Sequence, residues 1–472
     1  MQSKTPRPLW KDFSYFSHQL EGINWMLDKE INGTDVPNRD SSATVKVYGG
    51  FQCDDMGLGK TIQITSVIVN NPCRSTLLIA PLAMIDTWSG VLQRAGCAVY
   101  EVAPRDSAEP WKMMNPDSPI PRHFMKKGKP SVYISNYEKL YHNPSLFRRE
   151  WDRVVLDEAH KIRNGDGEIA RYARKIVAPI RWVVTGTPLV NSLKDVVSLF
   201  AFLGVPYSKL WRWEPRYLRI LPELVIHRSL DSLRKVIKGA PPVPQIQTVE
   251  LPFTSKAEEE FYHGVQGATE SMVKKYASDL LTSSEAFKLL LRLRQISVHP
   301  QVYINAKRRE DSSYDRQDWD TPSTKLDKIQ QIIRDYLLSE GLVEDENILL
   351  YNGSMTQSER ADVLKRSKET TSRTVMLLQL QAGGVGLNLQ EYDRIIFVSP
   401  WWTSALMDQA IARAVRMGQT ATVKVWHLTL LAEKNNTVNI DALINAKALE
   451  KRKMLEKLFC ICDKRSDTTE AK

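Results

Sequence analysis

Asp54-Asp55-Met56-Gly57-Leu58-Gly59-Lys60-Thr61 is the stretch on which the reading of this chain turns. Two glycines, a lysine and a threonine stand directly before the apolar run Ile62–Val69, which predicts a phosphate-binding turn opening a helix. Backbone N–H groups in such a turn point inward at an anion, and the helix dipole adds to the attraction. There the Lys60 ammonium reaches the β- and γ-phosphates, and the Thr61 hydroxyl helps hold Mg²⁺. Asp55, Met56, Gly57, Leu58 and Gly59 make up the rest of the cradle. Position 54, where the usual pattern has its first glycine, is aspartate. For these residues alone, a plain glycine turn before an ordinary helix competes with the phosphate reading.

The rest of the chain decides between the two. Arg153-Val154-Val155-Leu156-Asp157-Glu158-Ala159-His160 sets an acidic pair at the end of a β-branched run. A buried parallel strand delivers side chains to a site at its C-terminal edge in this way. A nucleotide hydrolase needs one carboxylate for the hydrated metal and a second to orient or deprotonate the attacking water. Asp157 and Glu158 fit those roles in that order. A second strand-like run, Arg181-Trp182-Val183-Val184, leads into Thr185-Gly186-Thr187-Pro188-Leu189. Phosphate loop, acidic strand end and Thr-Gly-Thr turn thus follow one another over about one domain length.

With these motifs placed, the chain resembles the Swi/Snf-like branch of superfamily-two helicases, ATP-driven translocases on double-stranded DNA. Phe16-Ser17-His18-Gln19 looks like the segment whose glutamine reads adenine, which assigns Gln19 to ATP. Leu77–Leu82 with Trp88 beyond, and Val132–Glu138, resemble the DNA-contacting motifs of lobe 1. Leu291–Gln295 with His299-Pro300 resembles the helical segment before lobe 2. Tyr351-Asn352-Gly353-Ser354-Met355, Ala382–Asn388 and Gln409–Gln419 resemble the lobe 2 motifs, and Trp401-Trp402 points to the repair-associated and helicase-like transcription factor group.

The resemblance implies an α/β fold of two RecA-like parallel-sheet lobes with helical insertions and a cleft between them. It implies a DNA-stimulated ATPase using ATP and Mg²⁺, with double-stranded DNA, nucleosomes among its forms, as partner and the nucleus as location. Lobe 1 would supply Gln19, the phosphate loop, Asp157 and Glu158, with Thr61 and Asp157 on the metal. Lobe 2 would supply Arg413 and Arg416, which are three apart and so share a helix face. Ser135, Asn136, Thr185, Ser354 and Trp402 would touch DNA, with Trp401 packed in lobe 2. His160, Thr187, Gly384, Gly386 and Gln409 would couple the lobes. Two other readings stand beside it. One is a nucleotide- or DNA-binding scaffold without turnover. The other is a P-loop kinase, which leaves the Thr-Gly-Thr turn and the arginine pair unexplained.

Composition agrees with two globular lobes. The chain has 472 residues, 42% hydrophobic and 25% charged, enough for two sizeable cores. A net charge of +10 permits a polyanionic partner without requiring one. No apolar stretch reaches membrane-spanning length, and Met1–Trp10 lacks the apolar core of a secretory signal. Cys53, Cys73, Cys97, Cys460 and Cys462 give no disulfide framework, and Cys460-Ile461-Cys462 lacks the second pair of a structural zinc site.

Boundaries follow from turn chemistry. Residues 1–238 read as lobe 1, 239–320 as a linker and helical segment, 321–440 as lobe 2, and 441–472 as a basic helical tail. Gly239–Pro244 marks the first division, because proline removes donors and fixes φ. Asn32–Thr44 and Ala103–Pro130 read as surface insertions, and Lys307–Asp320 as a flexible connection. One departure from the family stands out. Only Gln330–Asn347 separates the Lys325 helix from Ile348-Leu349-Leu350-Tyr351, whereas the family has a strand and a helix there. A strand with its crossover helix needs roughly a dozen residues beyond the strand. Either lobe 2 has lost that unit, or the sequence is a mispredicted or shortened gene product.

Overall fold

The structure, a computed structural model, describes residues 5–37, 44–102, 111–113, 130–141, 146, 150–190, 193–205, 215–234, 236–237, 239–276, 283–337, 348–370, 374–383, 387–431 and 439–463. The chain forms two α/β lobes. In the first, β-branched runs line up in one largely parallel sheet whose strands are β1 (Thr34–Pro37), β2 (Thr44–Gln52), β3 (Thr76–Ala80), β4 (Ala98–Val102), β5 (Trp111–Met113), β6 (Ser131–Asn136), β7 (Arg153–Asp157), β8 (Ile180–Val184) and β9 (Val225–Ile226). The spatial order is β1-β2-β8-β7-β3-β6-β4-β5, with β9 also paired to β2. Only the edge pairs β1–β2 and β4–β5 are antiparallel. The central strands β3 and β7 are buried along their whole length. Successive residues serve opposite faces, as a pleat requires. Leu77, Ile79, Val154 and Leu156 enter one core, while Leu78, Ala80 and Val155 enter the other. Both faces are therefore covered, as in other parallel sheets.

The second lobe uses β10 (Gln245–Pro252), β11 (Ile348–Tyr351), β12 (Val375–Leu378), β13 (Arg394–Phe397) and β14 (Lys424–Leu431). They make two separate parallel pieces, β10-β14-β13 and β11-β12. Among the described residues no strand joins β12 to β13. This break agrees with the shortened second lobe expected from the spacing. Its cost is visible in exposure: Ile348, Leu350 and Leu377 are each at least half exposed, and β13 is only half-buried throughout. The opposite face of β11 fares better, since Leu349 and Tyr351 pack against Val363 of the Gln357–Glu369 helix.

Four expectations need correction. Asn32–Thr44 contains β1, which pairs with the start of β2 and so extends the sheet. Gln245–Pro252, counted as linker, is the strand beside β14 in the second lobe's sheet. Its partner lies far along the chain, so local composition carried no sign of it. Lys307–Asp320 is ordered. Asp318 takes bonds from Gln301 and Arg308, and Arg316 lies 3.6 Å over the Phe261 ring. The tail is part of a 24-residue helix, Ile440–Asp463. Ile440 and Ile444 are buried in the second lobe, and Leu458 and Phe459 in the first. Ala103–Pro130 lies mostly outside the described residues.

Candidate active site between the lobes

The phosphate loop links β2 to the Lys60–Asn70 helix. Gly57 and Gly59 have φ of +84° and +81°, which a side chain would resist. A Cβ at Gly59 would also meet the Gln19 amide 2.5 Å away. Glycine is thus fixed there by both backbone and contact. Gln19 projects from the Ser17–Ile31 helix over the loop, accepting from Phe16 N at 3.2 Å. Beside it, His18 Nε2 stands 3.1 Å from Leu58 O. Lys60 Nζ donates back to the carbonyls of Asp54 and Asp55, at 2.7 and 3.1 Å, which curls the loop around the ammonium. Asp55 departs from its expected place. Its carboxylate accepts from Leu230 N at 2.8 Å, at the start of the connection to the second lobe.

Asp157 and Glu158 lie where β7 ends. Trp88 Nε1 donates to Asp157 Oδ2 at 2.7 Å, and Tyr137 donates to the Asp157 carbonyl at 2.6 Å. Trp88 and Tyr137 are fully buried, so both lock the aspartate from behind. Glu158 has φ of +49°, a conformation that is rare outside glycine and turns its side chain away from the strand direction. His160 Nδ1 is 3.3 Å from its carboxylate. Burial raises the Asp157 pKa, and the Glu158 charge adds to this. Burial works against the Glu158 charge too, but His160, Lys60 and Arg413 outweigh it and pull the pKa below the usual range. The two carboxyls are thus pushed in opposite directions, Asp157 up and Glu158 down.

The second lobe closes over this site. Arg416 lies 3.7 Å from where a Cβ on Gly57 would stand. Arg413, on the Ser404–Ala414 helix, feels both Asp157 and Glu158; burial lowers its pKa and Glu158 raises it. Arg416 is less well aimed, because its guanidinium is turned toward Leu387 O at 3.5 Å within its own lobe. Thr187 Oγ1 and Gln409 Oε1 are buried without a hydrogen-bond partner among the described residues. They line an interlobe cavity of about 620 Å³, together with Met56 and Asp408. Gly384 and Gly386 lie outside the described residues.

The residues expected on DNA are not all at the surface. Ser135 and Thr185 are fully buried and Asn136 nearly so. Asn136 accepts from Lys139 N at 2.9 Å, and Thr185 Oγ1 from Thr187 N at 3.1 Å. Asn136 and Thr185 thus brace the turns at their strand ends, while Ser135 Oγ is buried without a hydrogen-bond partner among the described residues. Ser354 is exposed. Both tryptophans are half-buried: Trp402 packs on the second lobe's core, and Trp401 lies under the Arg294 guanidinium at 4.2 Å. Sequence reading also missed Asp54, Gln63 and Arg228. The Asp54 carboxylate is fully buried and ion-paired to Arg228 at 2.5 Å. The one available signal was the aspartate at a glycine position.

The donor set suits a nucleotide with a divalent ion. An ammonium, a hydroxyl at a helix start and a carboxylate pair converge from one lobe, and a guanidinium from the other. Glycine at 57 and 59 lets the loop take the left-handed turns that wrap it around Lys60. The "Probable global transactivator" of Orgyia pseudotsugata multicapsid polyhedrosis virus is 26% identical, over 94% of this chain and 91% of its own length. DNA repair protein RAD5B of Arabidopsis thaliana is 24% identical over 81% of this chain, which spans 44% of that relative. A solved structure of the Sulfolobus solfataricus SWI2/SNF2 ATPase core in complex with dsDNA aligns over 98% of this chain and 99% of its own at 20% identity, with a TM-score of 0.40. The SNF2-related domain family matches residues 18–302 and the helicase conserved C-terminal domain matches 321–418. This chain therefore belongs to the SNF2-related family of superfamily-two helicase-like ATPases.

Proposed function

We propose that the protein hydrolyses ATP in the interlobe cleft and couples each cycle to movement on double-stranded DNA. The observation that carries the reading is convergence: the phosphate loop of one lobe faces the arginine helix of the other, with Arg416 3.7 Å from where a Cβ on Gly57 would stand and Met56, Thr187, Asp408 and Gln409 around one cavity. Gln19 sits over the loop to take adenine. Lys60 and the loop amides hold the phosphates, and Thr61 with Asp157 would hold Mg²⁺, which when bound neutralises charge between the phosphates. Glu158, held as a carboxylate, orients the attacking water. Arg413 meets charge that builds on the transferred phosphate; its planar, permanent cation suits that task. Because it comes from the second lobe, turnover depends on closure, and opening and closing become steps on a gripped duplex. Duplex contacts would rest on backbone and on exposed groups such as Ser354, positioning DNA without reading its bases. The names of relatives such as DNA repair protein RAD5B and Protein CHROMATIN REMODELING 24 support a place in repair or chromatin work, which would put the protein in the nucleus. The lobe boundaries we propose are those of the sequence reading, with Gln245–Pro252 moved into the second lobe.

A DNA-stimulated ATPase assay tests this. Glu158→Gln should bind nucleotide yet lose about 10²–10⁴ in rate. Arg413→Ala should lower kcat by about 10³ or more at nearly unchanged affinity. Lys60→Ala should weaken ATP binding itself. Undiminished hydrolysis in Glu158→Gln would overturn the assignment. The broken second sheet favours one other reading, a nucleotide- and DNA-binding scaffold without turnover. Wild-type binding with no hydrolysis on any duplex would select it.

A further inference from the structure

The segment leaving the first lobe is bonded along the limb of the phosphate loop. β9 pairs with β2, and the pairing continues past the sheet. Cys53 N donates to Ile226 O at 2.8 Å, Asp55 N donates to Arg228 O at 3.0 Å, and Leu230 N donates to the Asp55 carboxylate at 2.8 Å. Arg228 then fills the angle between three segments. Its Nε and Nη2 donate to the two carboxylate oxygens of Asp54, at 2.9 and 2.5 Å, a bidentate fork. Its Nη1 donates to the carbonyl of His18, in the helix that carries Gln19, and Nη2 also reaches Gln63 Oε1 at 3.0 Å. Asp54 is completed by Gln52 Nε2 at 2.7 Å and Gln63 Nε2 at 2.9 Å. The fit leaves no slack, since a Cβ at Gly22 would collide with both Gln63 and Arg228.

We infer that Arg228 is a positioning residue for the nucleotide: it fixes the adenine-reading helix, the phosphate loop and the root of the interlobe connection relative to one another. It touches no reacting atom. Its effect passes through Asp54 to the loop and through the His18 carbonyl to Gln19. Only a planar, multidentate cation can serve the carboxylate and the carbonyl together; an ammonium is a single point. The inference deepens the ATPase reading and rests on it. It predicts that loss of Arg228 blurs adenine recognition and phosphate grip together, while leaving the acid pair and Arg413 able to act once the site is filled.

The test uses the full chain carrying Arg228→Lys or Asp54→Asn, and the double variant. The readouts are equilibrium binding of a fluorescent ATP analogue, KM for ATP and for GTP, DNA-stimulated kcat, and Tm. Arg228→Lys should weaken the ATP analogue about tenfold, in line with losing charged hydrogen bonds. It should also shrink the preference for ATP over GTP, with kcat at saturation and Tm close to wild type. Asp54→Asn should move affinity and the ATP-over-GTP preference the same way, but with a lower Tm, because it leaves the largely buried Arg228 cation uncompensated. The double variant should be no worse than the poorer single, because both act through one contact. Unchanged affinity in Arg228→Lys overturns the inference, as does a parallel fall of affinity, kcat and Tm, which marks a merely structural pair. If Arg228→Lys fails to fold, Asp54→Asn decides by affinity, nucleotide preference and kcat at saturation: weaker, less selective binding at near wild-type kcat supports the inference, and unchanged affinity or a parallel fall of affinity and kcat overturns it. A wild-type chain that binds no nucleotide overturns this inference and the ATPase reading together. Normal wild-type turnover beside an indifferent Arg228→Lys sinks the inference alone.

Discussion

The two lobes are built from the same kind of strand and differ in whether their sheet is continuous. In the first, β3 and β7 have partners on both edges and cover on both faces. In the second, β12 and β13 each end a separate piece among the described residues, and Leu377 on β12 is 53% exposed. Strand sequence alone does not explain the contrast, since Val375-Met376-Leu377-Leu378 is as apolar as Thr76–Ala80. What differs is the neighbour. A parallel strand is stabilised by burial on both faces, so removing one strand and its helix leaves the strands beside it half-wet. Each lobe also contains a buried ion pair. Arg153 and Glu30 are both 0% exposed, with Trp182 and Asn71 donating to the same glutamate at 2.7 Å. Lys325 and Asp441, also 0% exposed, are 2.6 Å apart, and Ser297 and Leu430 N complete the aspartate.

The strongest way to break this comparison is to restore the unit. Inserting a strand–helix segment of family length between Leu338 and Ile348 should raise DNA-stimulated turnover by up to about 10²-fold, the cost of an ångström of misplacement at a catalytic group. An unaltered rate, or brisk hydrolysis before insertion, would show that the break is harmless. Next in size are the ion pairs. Glu30→Gln and Asp441→Asn should each cost about 3–5 kcal/mol, because each leaves a buried cation uncompensated. Domains commonly have only about 5–15 kcal/mol to lose. Asp441→Asn should therefore unfold the second lobe, while Glu30→Gln only lowers the melting temperature of the first. The reverse order would place the weaker lobe on the other side. Hydrogen exchange sharpens the point without mutation: amides of β3 and β7 should open only with global unfolding, and those of β12 by local opening. The smallest effect belongs to Leu377→Ser, expected within about 0.5 kcal/mol since the side chain is already in water. A loss of 2 kcal/mol or more would mean that this face is covered in solution.

Chemistry written in a few adjacent residues was legible in the sequence. The glycine-lysine-threonine turn, the acidic end of β7 and the arginine pair carry their spacing locally, and the short interval before Ile348 announced the divided sheet. Contacts between distant residues were not legible. Arg228 reaches Asp54 across 174 positions, and Trp88 reaches Asp157 across 69. Ser135 and Thr185 carry hydroxyls at strand ends, which suggested a grip on phosphate, but strand ends can be roofed by their own turns. Gln245–Pro252 looked like linker because a strand at the margin of a sheet, with β14 alone as partner, need not alternate clearly.

The Ile440–Asp463 helix has a mechanical consequence. Its anchor points, Ile444 in one core and Leu458 in the other, are 14 residues apart, or about 21 Å along a rigid rod. A rod pinned at both ends cannot lengthen. The lobes can swivel about it, but parting them requires either bending the rod or drawing Leu458 and Phe459 out into water, at about 1.5–3 kcal/mol for each side chain. Any movement of one lobe past the other thus follows an arc of nearly fixed radius, and its free travel ends where the second pin starts to slip.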